Sequence, residues 1–327
     1  MDFSSIKEYL KPDLDRVQDL MNTSLASDIE LLDKTNQRVL AHSGKQVRPV
    51  LALLTAKACS GGFVTEETIH FAAAAELIHN ATLLHDDVAD NSPVRRGEPT
   101  VMSLLGGRAS VLLGDYWLVK GIESVLSVNT FSGKVIRIFS NTLSDLAEGE
   151  LLQLQKADTC DTTESDYYRI IYNKTASLFV ASANTAAISV SASDEKRKAA
   201  KLYAECLGIA FQIKDDIFDY EGGDLTGKPS GLDLEERKIT LPLLGAFVNA
   251  GEDMEKEIRA LVARADEDAD SRKKIVNFVR ENGGVDYAIK SLGDYVGKAK
   301  AALRTMGTGK EVSMLADIAD FVAYRKS

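Results

Sequence analysis

The sequence predicts an all-α protein, a single-domain bundle of roughly ten or more helices, and three observations lead there. Only six prolines interrupt 327 residues, at positions 12, 49, 93, 99, 229 and 242. Between them run long stretches rich in Ala, Leu, Glu and Lys, which are good helix formers, with little of the period-two alternation that a half-buried strand shows. The hydrophobic content of 45% is enough for a substantial core.

Residues 1 to 43 form one or two amphipathic helices, with Leu20, Leu25, Ile29, Leu31 and Leu32 among the apolar positions and Pro12 near a start. Ser43-Gly44-Lys45-Gln46-Val47-Arg48-Pro49 breaks the pattern, and Pro49 suits the first turn of the next helix, which stops at Gly61-Gly62. A basic loop therefore sits at a helix start. Thr65 caps the following helix, and Glu66 and Glu67 sit at the positive end of its dipole. That helix runs to about Asn91, and its middle, Phe71 to Leu84, is apolar on nearly every side, as a central buried helix requires. Pro93 ends it, and Arg95-Arg96-Gly97 lies in the loop beyond. Further helices are expected at about 108 to 127, 131 to 156, 164 to 190 and 195 to 220, the last closed by Gly222-Gly223. A polar loop with Gly227, Pro229 and Gly231 follows, and charged helices fill 240 to 325 around a Gly283-Gly284 turn. No linker, low-complexity run or repeat divides the chain, so one domain over residues 1–327 is expected.

A formal charge of −10, with no long run of Lys or Arg, argues against nucleic-acid binding. An acidic chain that handles phosphates needs metal ions between itself and its substrate. Met1 to Asp13 is polar and acidic, unlike a secretory leader, and no uncharged apolar run is long enough to span a bilayer. Cys59, Cys160 and Cys206 are odd in number and set in apolar helical sequence, which fits reduced core residues and a cytoplasmic location.

Two acidic clusters stand out. His85-Asp86-Asp87-Val88-Ala89-Asp90 and Lys214-Asp215-Asp216-Ile217-Phe218-Asp219 each close a helix. At 100° per residue, Asp86 and Asp90 lie about 40° apart on one face, as do Asp215 and Asp219. Packed carboxylates repel unless a cation sits between them. Magnesium fits better than zinc, because the ligands are all oxygens and because magnesium takes only one or two carboxylates while phosphate and water complete its shell. One Asp-rich helix end is more often solvated surface; two, each following an apolar helix, point to metal. Lys45, Arg48, Arg95 and Arg96 lie in loops at helix ends, and arginine suits bidentate phosphate contacts. His79 lies about 20° from Asp86 on the same face and roughly 10 Å deeper, where it either satisfies itself in the core or donates to a phosphate. Lys174, Thr175 and Gln212 are polar residues in apolar helical sequence.

These residues resemble the trans-isoprenyl diphosphate synthases, or polyprenyl synthetases, over nearly the whole chain. The motifs arrive in the family's order: GKQVRP at 44 to 49, ELIHNATLLHDDVAD at 76 to 90, RRG at 95 to 97, GD at 114 to 115, KTASLF at 174 to 179, GIAFQIKDDIFDY at 208 to 220, and GKPSGLDLEERKITLPL at 227 to 243. The resemblance implies an isoprenoid synthase-like bundle around a central cavity, and a homodimer. It implies that Asp86, Asp87, Asp90, Asp215, Asp216 and Asp219 hold three magnesium ions on the diphosphate of an allylic prenyl substrate. Arg95, Lys174, Thr175, Gln212, Lys228 and Lys238 would contact that diphosphate, whereas Lys45, Arg48, His79 and Arg96 would bind isopentenyl diphosphate. Ionisation of the allylic diphosphate, attack by the isopentenyl double bond and loss of a proton to released diphosphate would then give the product.

Some positions depart from the family pattern: Ser43 stands at a usual glycine, Gln46-Val47 at a frequent Arg-Leu, and Arg237 at a usual glycine, while Thr100 to Ser103 lacks a usual histidine. In the family, residues four or five positions before the first cluster form the floor of the product tunnel. Here they are Thr82 and Ala81, both small, and with Ile78 they suggest a long-chain product of the kind used for quinone side chains and handed to a membrane. Ideal geometry nevertheless puts Ala81 about 140° from Asp86, which leaves a short-chain farnesyl or geranylgeranyl product open. A terpene cyclase normally carries an Asn/Ser/Glu triad where this chain has DDIFD. A catalytically silent subunit tends to lose aspartates that are kept here.

Overall fold

The computed structural model describes residues 2–42, 44–221 and 231–325; Ser43 and the predicted loop residues Gly222, Gly223, Gly227, Lys228 and Pro229 lie outside them. It is all-α, as the proline spacing and composition led us to expect. The helices are α1 (Phe3–Leu25), α2 (Glu30–Ala41), α3 (Val47–Ser60), α4 (Glu66–Ala89), α5 (Val101–Leu105), α6 (Gly107–Leu126), α7 (Ser132–Thr159), α8 (Glu164–Ile171), α9 (Ser177–Ser189), α10 (Asp194–Glu221), α11 (Leu232–Glu235), α12 (Leu241–Ala250), α13 (Glu252–Val262), α14 (Ala269–Glu281), α15 (Gly284–Leu303) and α16 (Lys310–Tyr324). Between α4 and α5 a small antiparallel ribbon pairs β1 (Val94–Arg95) with β2 (Glu98–Pro99). Among the described residues no helix is long and apolar enough to cross a membrane.

The chain divides into two compact units. The first comprises Met1–Ser140, Ala181–Lys201 and Thr305–Leu315. Its centre is α4, which is buried on nearly every side from Thr68 to Ala81, the signature that the apolar sequence predicts. Thr65 accepts from the backbone N–H of Thr68, and Thr68 returns a bond to Thr65, so the start of α4 is fixed by a reciprocal cap. Helix α6 approaches α4 closely because Gly121 lacks a side chain; a Cβ there would stand 3.0 Å from Cγ1 of Ile78. Pro12 lies inside α1 rather than near its start. Burial of Ile6, Leu10, Leu14, Val17, Met21 and Leu25 on one face carries the helix through the hydrogen bond that Pro12 cannot make.

The second unit comprises Asn141–Val180, Leu202–Arg304 and Ala316–Ser327. Its notable irregularity is a π-helical turn, Tyr172–Ala176, between α8 and α9. Two glycines admit it. A Cβ on Gly149 of α7 would stand 2.9 Å from the backbone N of Lys174, and one on Gly208 of α10 would stand 2.6 Å from Cα of Ala176. Such turns insert one residue into the helical ladder and often mark functional sites. This one carries Lys174 and Thr175.

Candidate active site

In the first unit the acidic cluster closes α4: Asp86 and Asp87 lie in the last turn and Asp90 is the C-cap. Asp87 is buried, Asp86 half-buried and Asp90 exposed. Arg95, brought back by the β1–β2 ribbon, donates from Nε to Oδ1 of Asp87 at 2.6 Å. Both side chains line a pocket of about 80 Å³ with His42, Asn80 and Arg96. Arg96 adopts a left-handed φ of 54° and donates to the backbone carbonyl of His42 at 2.9 Å. Gly44 makes room for it, since a Cβ there would lie 2.4 Å from the guanidinium. The predicted basic loop thus folds against Arg96 through its glycine.

One turn and more below the cluster, burial and the neighbouring guanidinium groups of Arg48, Arg96 and Arg95 hold His79 well below the usual imidazole range, so it stands neutral and retains one N–H to donate. Burial brings Arg48 down to about 10, against the pull of Glu76. Glu76 was not picked out from the sequence. It is fully buried, and burial pushes its carboxyl up to about 7 despite Arg48 and Arg96, while its Oε2 has no hydrogen-bond partner. Lys45 is exposed at the start of this region. Of the chain-length candidates, Ile78 and Ala81 are buried, and the Thr82 hydroxyl turns back to the carbonyl of His79 at 2.8 Å.

In the second unit Lys174, Thr175, Gln212, Asp216 and Lys238 line one pocket of about 110 Å³, the convergence expected of them. Thr175 donates to Oε1 of Gln212 at 2.9 Å, and Gln212 donates to Oδ1 of Asp216 at 2.9 Å. Gln212 and Asp216 are four residues apart on α10, so the helix itself aligns them. Tyr167, in the first turn of α8, donates to Oδ2 of Asp216 at 2.6 Å. Both oxygens of Asp216 are therefore fixed. Lys174 pairs with Glu150 at 2.5 Å, and Lys238 pairs with Glu236. Asp219 accepts from the backbone N–H of Leu232 at 2.8 Å and of Asp233 at 3.3 Å, tying α10 to α11.

The electrostatics of this pocket define its chemistry. Burial, then the charge of Asp233, raises Asp216 well above the carboxylate range. Burial also raises Asp219, and burial with Asp219 beside it pushes Asp233 up to about 7 even though Lys238 pulls it down. Three acids crowded away from water carry more negative charge than Lys238 offsets. A hard divalent ion would balance the rest. No three His, Cys, Asp or Glu side chains among the described residues already form a metal cage.

Sequence reasoning missed Tyr167, Glu76, Asp233 and Glu150. Glu76 did carry a signal, as a lone acid within an apolar helix, and Asp233 sits in the late loop motif. Tyr167 carried none. Arg237, placed at a usual glycine, adopts a left-handed φ of 53°, the conformation that glycine enters without cost, and it pairs with Asp266.

A family model described as polyprenyl synthetase matches residues 29–279. Octaprenyl diphosphate synthase of Escherichia coli (strain K12) is 34% identical over 310 residues, 94% of each chain. A short chain isoprenyl diphosphate synthase of Methanothermobacter thermautotrophicus is 32% identical over 305 residues, 92% of this chain and 93% of the relative. Among solved structures, a polyprenyl synthase from Caulobacter crescentus CB15, complexed with calcium and isoprenyl diphosphate, matches with a TM-score of 0.91 at 32% identity, covering 100% of this chain and 98% of that one.

Proposed function

This chain belongs to the polyprenyl synthetase family of trans-prenyltransferases, and from that premise we propose that it condenses isopentenyl diphosphate head to tail with an allylic prenyl diphosphate, through a 1'-4 bond, to give a long-chain trans-polyprenyl diphosphate. The observation that carries this reading is the crowding of Asp216 and Asp233, with Asp219 bonded to the backbone of Asp233, at a pocket that also holds Lys174 and Lys238, a site with separate groups for cation and for phosphate. Residues 1–327 act as one polyprenyl synthetase domain.

Asp86, Asp87, Asp90, Asp215, Asp216 and Asp219 would hold three magnesium ions. Magnesium supplies charge neutralisation for the departing diphosphate when bound. Lys174, Thr175, Gln212, Arg95, Lys238 and Lys228 bind the allylic diphosphate, with Arg95, Lys174 and Lys238 exchanging their present carboxylate partners for phosphate oxygens. Arg48, Arg96, Lys45 and the neutral N–H of His79 bind the diphosphate of isopentenyl diphosphate. The released diphosphate takes the proton. Small side chains at Ala81 and Thr82, with Ile78, favour the long product; the names of the relatives span long and short chains.

A homodimer is supported by an apolar face left exposed on α6, where Leu112, Val119 and Leu126 recur every seven residues beside Val111. The free thiols Cys59, Cys160 and Cys206 support a reducing, cytoplasmic setting. The test is to incubate pure protein with magnesium, labelled isopentenyl diphosphate and a panel of allylic starters, then size the dephosphorylated products. Products of eight or more isoprene units are expected, and Asp86→Ala should lower turnover by roughly a thousandfold. A chain that elongates no starter is a silent subunit; one that stops at fifteen or twenty carbons is a short-chain synthase.

A further inference from the structure

Arg325, the residue following α16, enters none of the roles above, yet its side chain is only 7% exposed. Its Nη2 donates to Oδ1 of Asp215 at 2.5 Å and to the backbone carbonyl of Phe211 at 3.1 Å. The guanidinium lies over the ring of Phe211, 4.1 Å from its centroid, and 5.4 Å from that of Phe218. Phe211, Asp215 and Phe218 recur at four and three residues on α10, so they form one helical face that holds the guanidinium by stacking and charge together. This is a built seat for a cation on a carboxylate proposed above as a magnesium ligand.

We propose that Arg325 is a latch on the second acidic cluster: it occupies Asp215 in the metal-free enzyme and is displaced when a divalent cation is captured there. The inference rests on the reading of Asp215 as a ligand. A guanidinium in contact with Oδ1 and a divalent cation on the same carboxylate would repel at short range, so each disfavours the other. By linkage, metal capture then frees the end of α16 from α10, and the apparent metal affinity falls by the fraction of molecules in which the latch is closed.

Mn²⁺ binding to the full chain, followed by electron paramagnetic resonance, tests this without reference to turnover. Arg325→Ala should bind Mn²⁺ about five- to tenfold tighter than wild type, the size expected for one charge-assisted contact to a half-exposed carboxylate. Arg325→Lys, which keeps the charge but loses the fork and the stacking, should fall between them. Hydrogen exchange in residues 316–325 should speed up on adding Mn²⁺ to wild type and not respond in Asp215→Ala. Unchanged or weaker Mn²⁺ binding in Arg325→Ala, with native circular dichroism, would overturn the latch, as would metal-independent exchange in wild type. If Asp215→Ala binds Mn²⁺ as wild type does, the ligand reading itself fails. If Asp215→Ala loses a site while Arg325→Ala matches wild type, the latch alone fails.

Discussion

Glu76 offers a sharp test of the electrostatics because its effect is readable without substrate. Burial raises its carboxyl from an ordinary 4.5 to about 7 in the folded chain. The folded protein therefore binds more protons than the unfolded chain between these values, so stability is highest below about pH 4.5, falls as pH rises towards 7 and levels off above. The full difference corresponds to about 3 kcal/mol. Glu76→Gln keeps the shape and removes the titration. Its amide leaves an N–H facing the unpartnered Oε2 position, which costs about 1–3 kcal/mol at every pH, so absolute stability changes little at pH 8. The informative quantity is the difference in slope. Urea unfolding followed by circular dichroism at pH 5 and pH 8 should show wild type losing roughly 2 kcal/mol more than Glu76→Gln across that interval. Parallel profiles for the two proteins would mean that Glu76 is ionised at both pH values and is compensated by Arg48, and the account of that buried group would be wrong.

Other perturbations follow from the second unit and from α4. Tyr167→Phe removes the 2.6 Å bond to Asp216, worth about 0.5–1.5 kcal/mol, and should lower kcat/KM up to about tenfold at pH 7 with the acidic limb of the pH profile moved upward; an unmoved limb would refute it. Gly208→Ala places a Cβ 2.6 Å from Cα of Ala176, and despite the better helix propensity of alanine it should lower stability by about 1–3 kcal/mol and raise KM for the allylic substrate, because the turn bearing Lys174 and Thr175 must move. A more stable variant with normal KM would contradict that packing. Ala81→Phe should shorten the dephosphorylated product on chromatography; unchanged length would end the argument from small residues at that position.

Much of the fold was legible because helix signals are local. Thr65 as a cap, the apolar run from Phe71 and the acidic helix ends all concern residues within one or two turns, and the structure places each near its expected position. The convergence of Lys174, Thr175, Gln212 and Lys238 was legible only through family resemblance, since nothing in local pattern brings residue 174 to residue 212. Tyr167 and Glu150 escaped notice because their meaning depends on partners far along the chain, Asp216 for one and Lys174 for the other. Pro12 was misplaced for the complementary reason: the local rule that puts proline at a helix start yielded to a buried face that runs from Phe3 to Leu25.

The two Asp-Asp-x-x-Asp clusters also show why a repeated motif need not give a repeated site. In the first, the middle carboxylate meets a charge, Arg95, at 2.6 Å. In the second, the corresponding Asp216 meets two neutral donors, Tyr167 and Gln212, and lies beside a further acid, Asp233. Neutral donors orient a carboxylate without cancelling its charge, so Asp216 keeps a larger demand for a cation than Asp87, even with Arg325 on the neighbouring Asp215. If metal is captured stepwise, the second cluster should therefore fill at the lower concentration. Mn²⁺ titrations of Asp86→Ala and Asp216→Ala separate the cases: loss of the tighter class of site in Asp216→Ala is expected, and its loss in Asp86→Ala instead would reverse the order argued from these contacts.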